Sequence, residues 1–149
     1  MAKLEIKQYQ FFFNLDADVG RASPNKLDDV ELVRFGYFCV KSDPKKFLIL
    51  PTRFKVALQS MQPRGPYLAD LQGVIDAHQE HRGGTQDGKV SVGKAQFILG
   101  RYDSKHLFMI YALCNAIADF LPNMYPRIDL HDQSGIEISK RVQVLFRVD

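Results

Sequence analysis

Val30, Val33, Tyr37 and Val40 recur at helical spacing, and Leu32, Phe35 and Phe38 widen the stripe, which predicts a first helix over residues 27–41 buried on more than one side. Asn25 stands where it caps this helix, and Asp28 and Asp29 fall in the first turn, at the positive end of the dipole. Ser42-Asp43-Pro44 stops it, because proline disfavours helical geometry in the residue before it. Phe47-Leu48-Ile49-Leu50 follows as a short apolar connector. A second helix over 52–61 sets Phe54, Leu58 and Met61 on one side and ends at Pro63-Arg64-Gly65-Pro66. Pro66 suits the first position of a third helix, 66–82, whose stripe is Leu68, Leu71, Val74, Ile75 and His78. Gly83-Gly84 then closes the helix in left-handed geometry, and Asp87-Gly88 sets a tight turn before the alternating Val90 and Val92.

A fourth helix over 105–121, opened by Tyr102-Asp103-Ser104, is apolar almost all round and belongs at the centre of the fold. Ser134-Gly135-Ile136-Glu137 matches a capping box that opens a fifth helix through Ile138, Val142 and Leu145. Val142, Val144, Phe146 and Val148 also alternate; the cap decides for the helix, with the last residues able to finish as a strand. At the other end, Leu4 to Phe13 begins as alternation and finishes in Tyr9, Phe11, Phe12 and Phe13, a strand or extended arm laid on the core. Residues 16–25 are rich in turn formers, Asp16-x-Asp18 among them. With no internal repeat or linker, the expectation is one mainly α domain over 1–149, of about five helices with short extended segments at the N-terminus and around 90–99. It divides into an arm and loop (1–25), a helical part (26–100) and a C-terminal helical part (101–149).

Composition narrows the functional classes. The 149 residues carry 20 Lys and Arg against 17 Asp and Glu, and 46% are hydrophobic, a balance ordinary for a soluble globular chain able to bury a core without metal or disulfide staples. The basic residues are scattered, which argues against a nucleic-acid surface. Cys39 and Cys114 sit in apolar surroundings outside any metal spacing and read as buried, reduced thiols. The N-terminus lacks the uninterrupted apolar core of a secretory signal, so the chain is expected to be cytoplasmic as synthesised. Asn115 and Asp119 break the most apolar stretch, which is too short to insert into a membrane.

The stretch from Leu71 to Ser91 resembles the small helical peptidoglycan-binding domains of bacterial wall hydrolases and phage endolysins. Their pattern is a helix ending in an aromatic-Gln pair, three variable residues, Gly-Leu, two more residues, then Asp-Gly-x-Val-Gly. Val74, Gln79, Gly83, Asp87, Gly88 and Val90 match it in register without a gap. The departures are His78 for the aromatic, Gly84 for the leucine, Ser91 for the second turn glycine, and Lys94 where a threonine opens the last helix. They touch the core plug and the helix start. The specific likeness covers about 20 residues, and the chain beyond Phe97 has no counterpart in that domain. The resemblance implies a non-enzymatic recognition module in which Gln79, Arg82, Thr85, Asp87 and Lys89 present hydrogen-bond partners to a cell-wall muropeptide or glycan. His78, Gly83, Gly84, Gly88 and Val90 carry its structural motif. Without an export signal, such a protein requires a phage particle, lysis or a dedicated secretion machine to reach the wall.

Other chemistry is thinly represented. His78 and His81, three apart on one helix, could both reach a metal ion, but the sequence places no third ligand beside them, and His106 and His131 lie on other segments. Asp28-Asp29 reads as helix N-terminal charge and Asp16-x-Asp18 as a turn. No nucleophile elbow is present, and Val90-Ser91-Val92-Gly93-Lys94 lacks the spacing of a phosphate loop. Arg34-Phe35 and Arg53-Phe54-Lys55 read as core aromatics with snorkelling cations. The expectation is therefore no catalytic residue, cofactor or metal. The rival to wall recognition is a structural, adaptor or immunity-type interaction subunit, with a partner or a second copy covering the apolar patch of Phe11 to Phe13.

Overall fold

The computed structural model describes residues 3–7, 10–93 and 108–121, with side chains from Asn14 onward. It is mainly α. The helices are α1 (Leu27–Ser42), α2 (Pro44–Phe47), α3 (Thr52–Ser60), α4 (Ala69–Arg82) and α5 (Met109–Phe120). The strands are β1 (Lys3–Lys7), β2 (Gln10–Asn14), β3 (Val19–Gly20) and β4 (Lys89–Val90). The helix read from Ser134 and the extended segment beyond Gly93 lie outside the described residues.

The core forms where the two most apolar helices cross. α1 buries Val30, Leu32, Val33, Phe35, Tyr37 and Cys39, so it is enclosed on several sides as its wide stripe requires. α5 packs against it through Ile110, Leu113, Cys114 and Ile117, all at most 2% exposed. The helices come so close at Gly36 that a β-carbon there would stand 2.8 Å from Cβ of Leu113. α3 and α4 pair beside them, contributing Phe54 and Leu58, and Leu71, Val74 and Ile75. Both cysteines are buried. Among the described residues no helix is long and apolar enough to cross a membrane.

Several local expectations are corrected. The stretch read as one strand over 4–13 is a hairpin, β1 and β2 pairing antiparallel from Lys3↔Asn14 to Lys7↔Gln10, which satisfies backbone groups that a lone strand would leave open. Asn25 does not cap α1. It sits at φ +50°, its amide donates to the Gly20 and Ser23 carbonyls, and its Oδ1 accepts from Gly20 N; Lys26 is the residue at the N-cap. Ser42-Asp43-Pro44 both ends one helix and begins another. The Asp43 side chain accepts from Lys45 N at 3.0 Å and Pro44 takes the first position of α2. α4 begins at Ala69 rather than Pro66, because the Gln62 and Pro66 carbonyls are turned towards Arg34 as hydrogen-bond acceptors. Arg34 itself does not snorkel: it is 0% exposed and forks onto both carboxylate oxygens of Asp70 at 2.9 and 3.0 Å.

The segment before α1 is tied down by buried and half-buried side chains acting as backbone partners. Asn14 makes a two-bond clasp with Gly93, Asp29 accepts from the Asp16 and Ala17 amides, and Asp18 accepts from Val92 N. β3 and β4 then pair Val19 with Val90 and Gly20 with Lys89, both valines being fully buried. At Gly20 φ is +129° and a β-carbon would stand 2.2 Å from the Gly88 carbonyl oxygen, so only glycine fits this crossing. The ladder pulls the turn after α4 against the loop before α1.

Candidate functional site

Two features meet at the C-terminal end of α4: the loop that follows it and a groove beside it. Gly83, Gly84 and Gly88 hold φ of +76°, +80° and +74°, so the loop takes the left-handed course expected of it. Gln79 organises its interior. The side chain is 5% exposed; its amide hydrogens go to Asp87 Oδ1 (3.0 Å) and the Lys89 carbonyl (2.9 Å), and its Oε1 accepts from Gly88 N (2.8 Å). Asp87 Oδ1 also accepts from Lys89 N. The Gly88 carbonyl accepts from Arg21 N and from Gln72 Nε2, and Val90 plugs the core beneath.

Of the residues expected to meet a ligand, Gln79, Asp87 and Lys89 are thus brought together, but through bonds that the loop makes with itself. Thr85 and the outer part of Asp87 are exposed. Arg82 is half-buried and points the other way, into the groove. A prediction separates these roles. Gln79→Leu should cost about 2 kcal/mol by leaving the buried Gly88 N–H and the Lys89 carbonyl without their partner, whereas Thr85→Ala should stay within about 0.5 kcal/mol of the parent in urea denaturation.

His78 fills the slot that the aromatic occupies in the resembled pattern. Its ring lies 5.4 Å from both Tyr37 and Phe54, and its Nδ1 shares a 2.8 Å hydrogen bond with the Tyr37 hydroxyl. Burial, reinforced by the charges of Arg82 and His81, pushes its pKa down to about 3, so it is a neutral core group at physiological pH. Burial likewise raises the Tyr37 hydroxyl and, with help from Asp43, the Cys39 thiol. His81 is on the surface, edge-on to Phe54. Among the described residues no group of three or more His, Cys, Asp or Glu is arranged to hold a metal ion. His106 and His131 lie outside them.

The groove has a volume of about 480 Å³ and is bounded by all five described helices. Val40, Leu50, Phe54, Leu113 and the small Ala112 and Ala116 give it apolar walls. Lys46 and Arg82 supply its charge, His81 stands beside them, and among the described residues of the lining there is no Asp or Glu. Asp119 pairs with Lys46 at 2.8 Å from outside it. Ile49 forms the lip, 81% exposed, with Leu48 next to it at 69%. A smaller cavity of about 290 Å³ opens on the far side of Phe54 and His81, with the Arg53–Glu80 ion pair among its lining. No protein-family model, curated protein or solved structure matches the chain.

Sequence reasoning passed over this groove. Its one visible sign was Phe47-Leu48-Ile49-Leu50, four apolar residues without a helical stripe, where Leu48 and Ile49 turn out to face solvent. The other walls come from four separate helices, and only their packing creates the hollow between them. Of the residues expected to meet a ligand Arg82 alone lines it among those described, and His78 of the structural motif lines it as well.

Proposed function

We propose that the chain is a non-enzymatic recognition subunit whose binding face is the groove beside α4, and that it works by docking a partner protein. The observation that carries this reading is an apolar groove of about 480 Å³ whose lip, Ile49, is apolar and exposed, as is Leu48 next to it. Large side chains left in water beside a hollow are what a protein interface covers. The non-enzymatic part of this reading is supported by where reactive groups sit among the described residues: Cys39 and Cys114 are buried, and His78 is locked between two aromatic rings.

A second reading, recognition of a wall muropeptide through the Gly83–Gly88 loop with delivery by a phage particle or secretion machine, is favoured by one feature. The loop leaves Thr85, one side of Asp87 and part of Lys89 facing outwards around a rigid turn. Co-sedimentation with isolated peptidoglycan sacculi separates the two. Docking of a protein partner predicts that the purified chain stays in the supernatant at high micromolar concentration. Saturable pelleting that is lost in Thr85→Ala, Lys89→Ala would overturn it in favour of the wall.

A further inference from the structure

We infer that the groove takes an acidic segment of another protein carrying two large apolar side chains, one seated against Phe54 and Leu113 and the other laid over Leu48 and Ile49. This rests on the docking role proposed above and names the chemistry of the partner. A cavity of about 480 Å³ falls in the range that holds a small molecule or a few side chains of a peptide. Leu48 and Ile49, 69% and 81% exposed, lie at or past its lip, so an occupant confined to the cavity would leave them in water. A chain segment that continues out of the cavity covers both.

The sign of the partner's charge follows from the lining. Among the described residues of the lining, the cationic or protonatable groups are Lys46, His81 and Arg82, and none is a carboxylate. Asp119 answers the charge of Lys46 from outside the groove, yet that pair is substantially exposed, with side chains 34% and 58% accessible. A basic segment entering here would bring like charges together in a desolvating site, whereas Asp or Glu flanking the apolar anchors would meet charges of opposite sign. A small fatty anion satisfies the charge but not the lip, and a neutral apolar segment satisfies the lip but not the charge.

The test is selection of short random peptides on the full chain, with the survivors synthesised and titrated by fluorescence anisotropy. The expected survivors carry paired large apolar residues flanked by Asp or Glu, and bind about tenfold or more weakly to Ile49→Glu and to Lys46→Glu. Ile49 is so exposed that Ile49→Glu leaves the core untouched, which an unchanged melting temperature verifies. Survivors weakened by Ile49→Glu but without acidic residues would overturn the charge assignment while the docking role stands. Survivors indifferent to both variants, or no survivors, would overturn both. A concentration-dependent dimer of the chain alone, dissociated by Ile49→Glu in sedimentation, would assign the groove to a second copy and also overturn the inference.

Discussion

Lowering the pH from 7 to 4 should cost the folded protein about 3 kcal/mol through His78 alone, of which about 2 kcal/mol is lost by pH 5. An unfolded histidine titrates near 6.5, whereas burial, with the Arg82 and His81 charges behind it, pushes folded His78 down to about 3. Between those values the unfolded chain binds a proton that the folded chain does not. The contribution is therefore complete above about pH 6.5 and drains away as the pH falls towards 3. His78→Gln keeps a polar partner for the Tyr37 hydroxyl and removes the titration. Urea denaturation across this range should give a steep loss for the parent and a much shallower one for the variant between pH 7 and 5, where carboxylates remain ionised. Parallel curves would mean that His78 takes up its proton in the folded state.

Asp70→Ala should destabilise the protein by about 3 kcal/mol and lower its melting temperature by roughly 10 °C. Arg34 has no exposed surface, and its two terminal nitrogens are satisfied by Asp70 and by the Gln62 and Pro66 carbonyls, while its buried Nε has no hydrogen-bond partner among the described residues. Removing the carboxylate leaves a guanidinium in the core facing only neutral acceptors. The carboxylate also accepts from Gln62 N, so the link between α3 and α4 loosens with it. Burial opposes ionisation of Asp70, but the Arg34 hydrogen bond, the Gln62 amide, the Arg34 charge and the Leu71 amide together outweigh it and hold the carboxyl below its usual range. That part of the stability is present above about pH 4 and is lost as the pH falls further. Calorimetry of Asp70→Ala at neutral pH checks the size of the effect. A melting temperature within about 2 °C of the parent would show that solvent or the backbone compensates Arg34.

What could be read from the sequence was whatever depends on near neighbours. The stripes of α1, α3 and α5, the glycine closure of α4 and the Asp87-Gly88 turn are local, and each appears close to its expected place. Asp43-Pro44 is local too, a cap followed by a proline, and the same pair that stops α1 also opens α2. What was hidden depends on partners distant in the chain. Arg34, between Val33 and Phe35, reads as a cation on an apolar stripe, and nothing local points to Asp70 as the group that lets it be buried. Gln79 fits the resembled pattern equally well facing out or in; the short β3–β4 ladder, pinned by Gly20, draws Gly88 and Lys89 over the helix end and so turns it inwards.

The groove shares that origin. Its lining joins Val40 to Ala116 across the fold, so no stretch of sequence contains it, and only the exposed lip left a trace in the Leu48-Ile49 run. A direct measurement is methyl NMR of the full chain, labelled at Ala, Ile, Leu and Thr, titrated in turn with a selected acidic peptide and with soluble muropeptides. The methyl signals of Ile49, Ala112, Leu113 and Ala116 are expected to move with the peptide while that of Thr85 stays in place. Movement of the Thr85 signal with muropeptides, with the groove methyls unmoved by either ligand, would contradict docking at the groove.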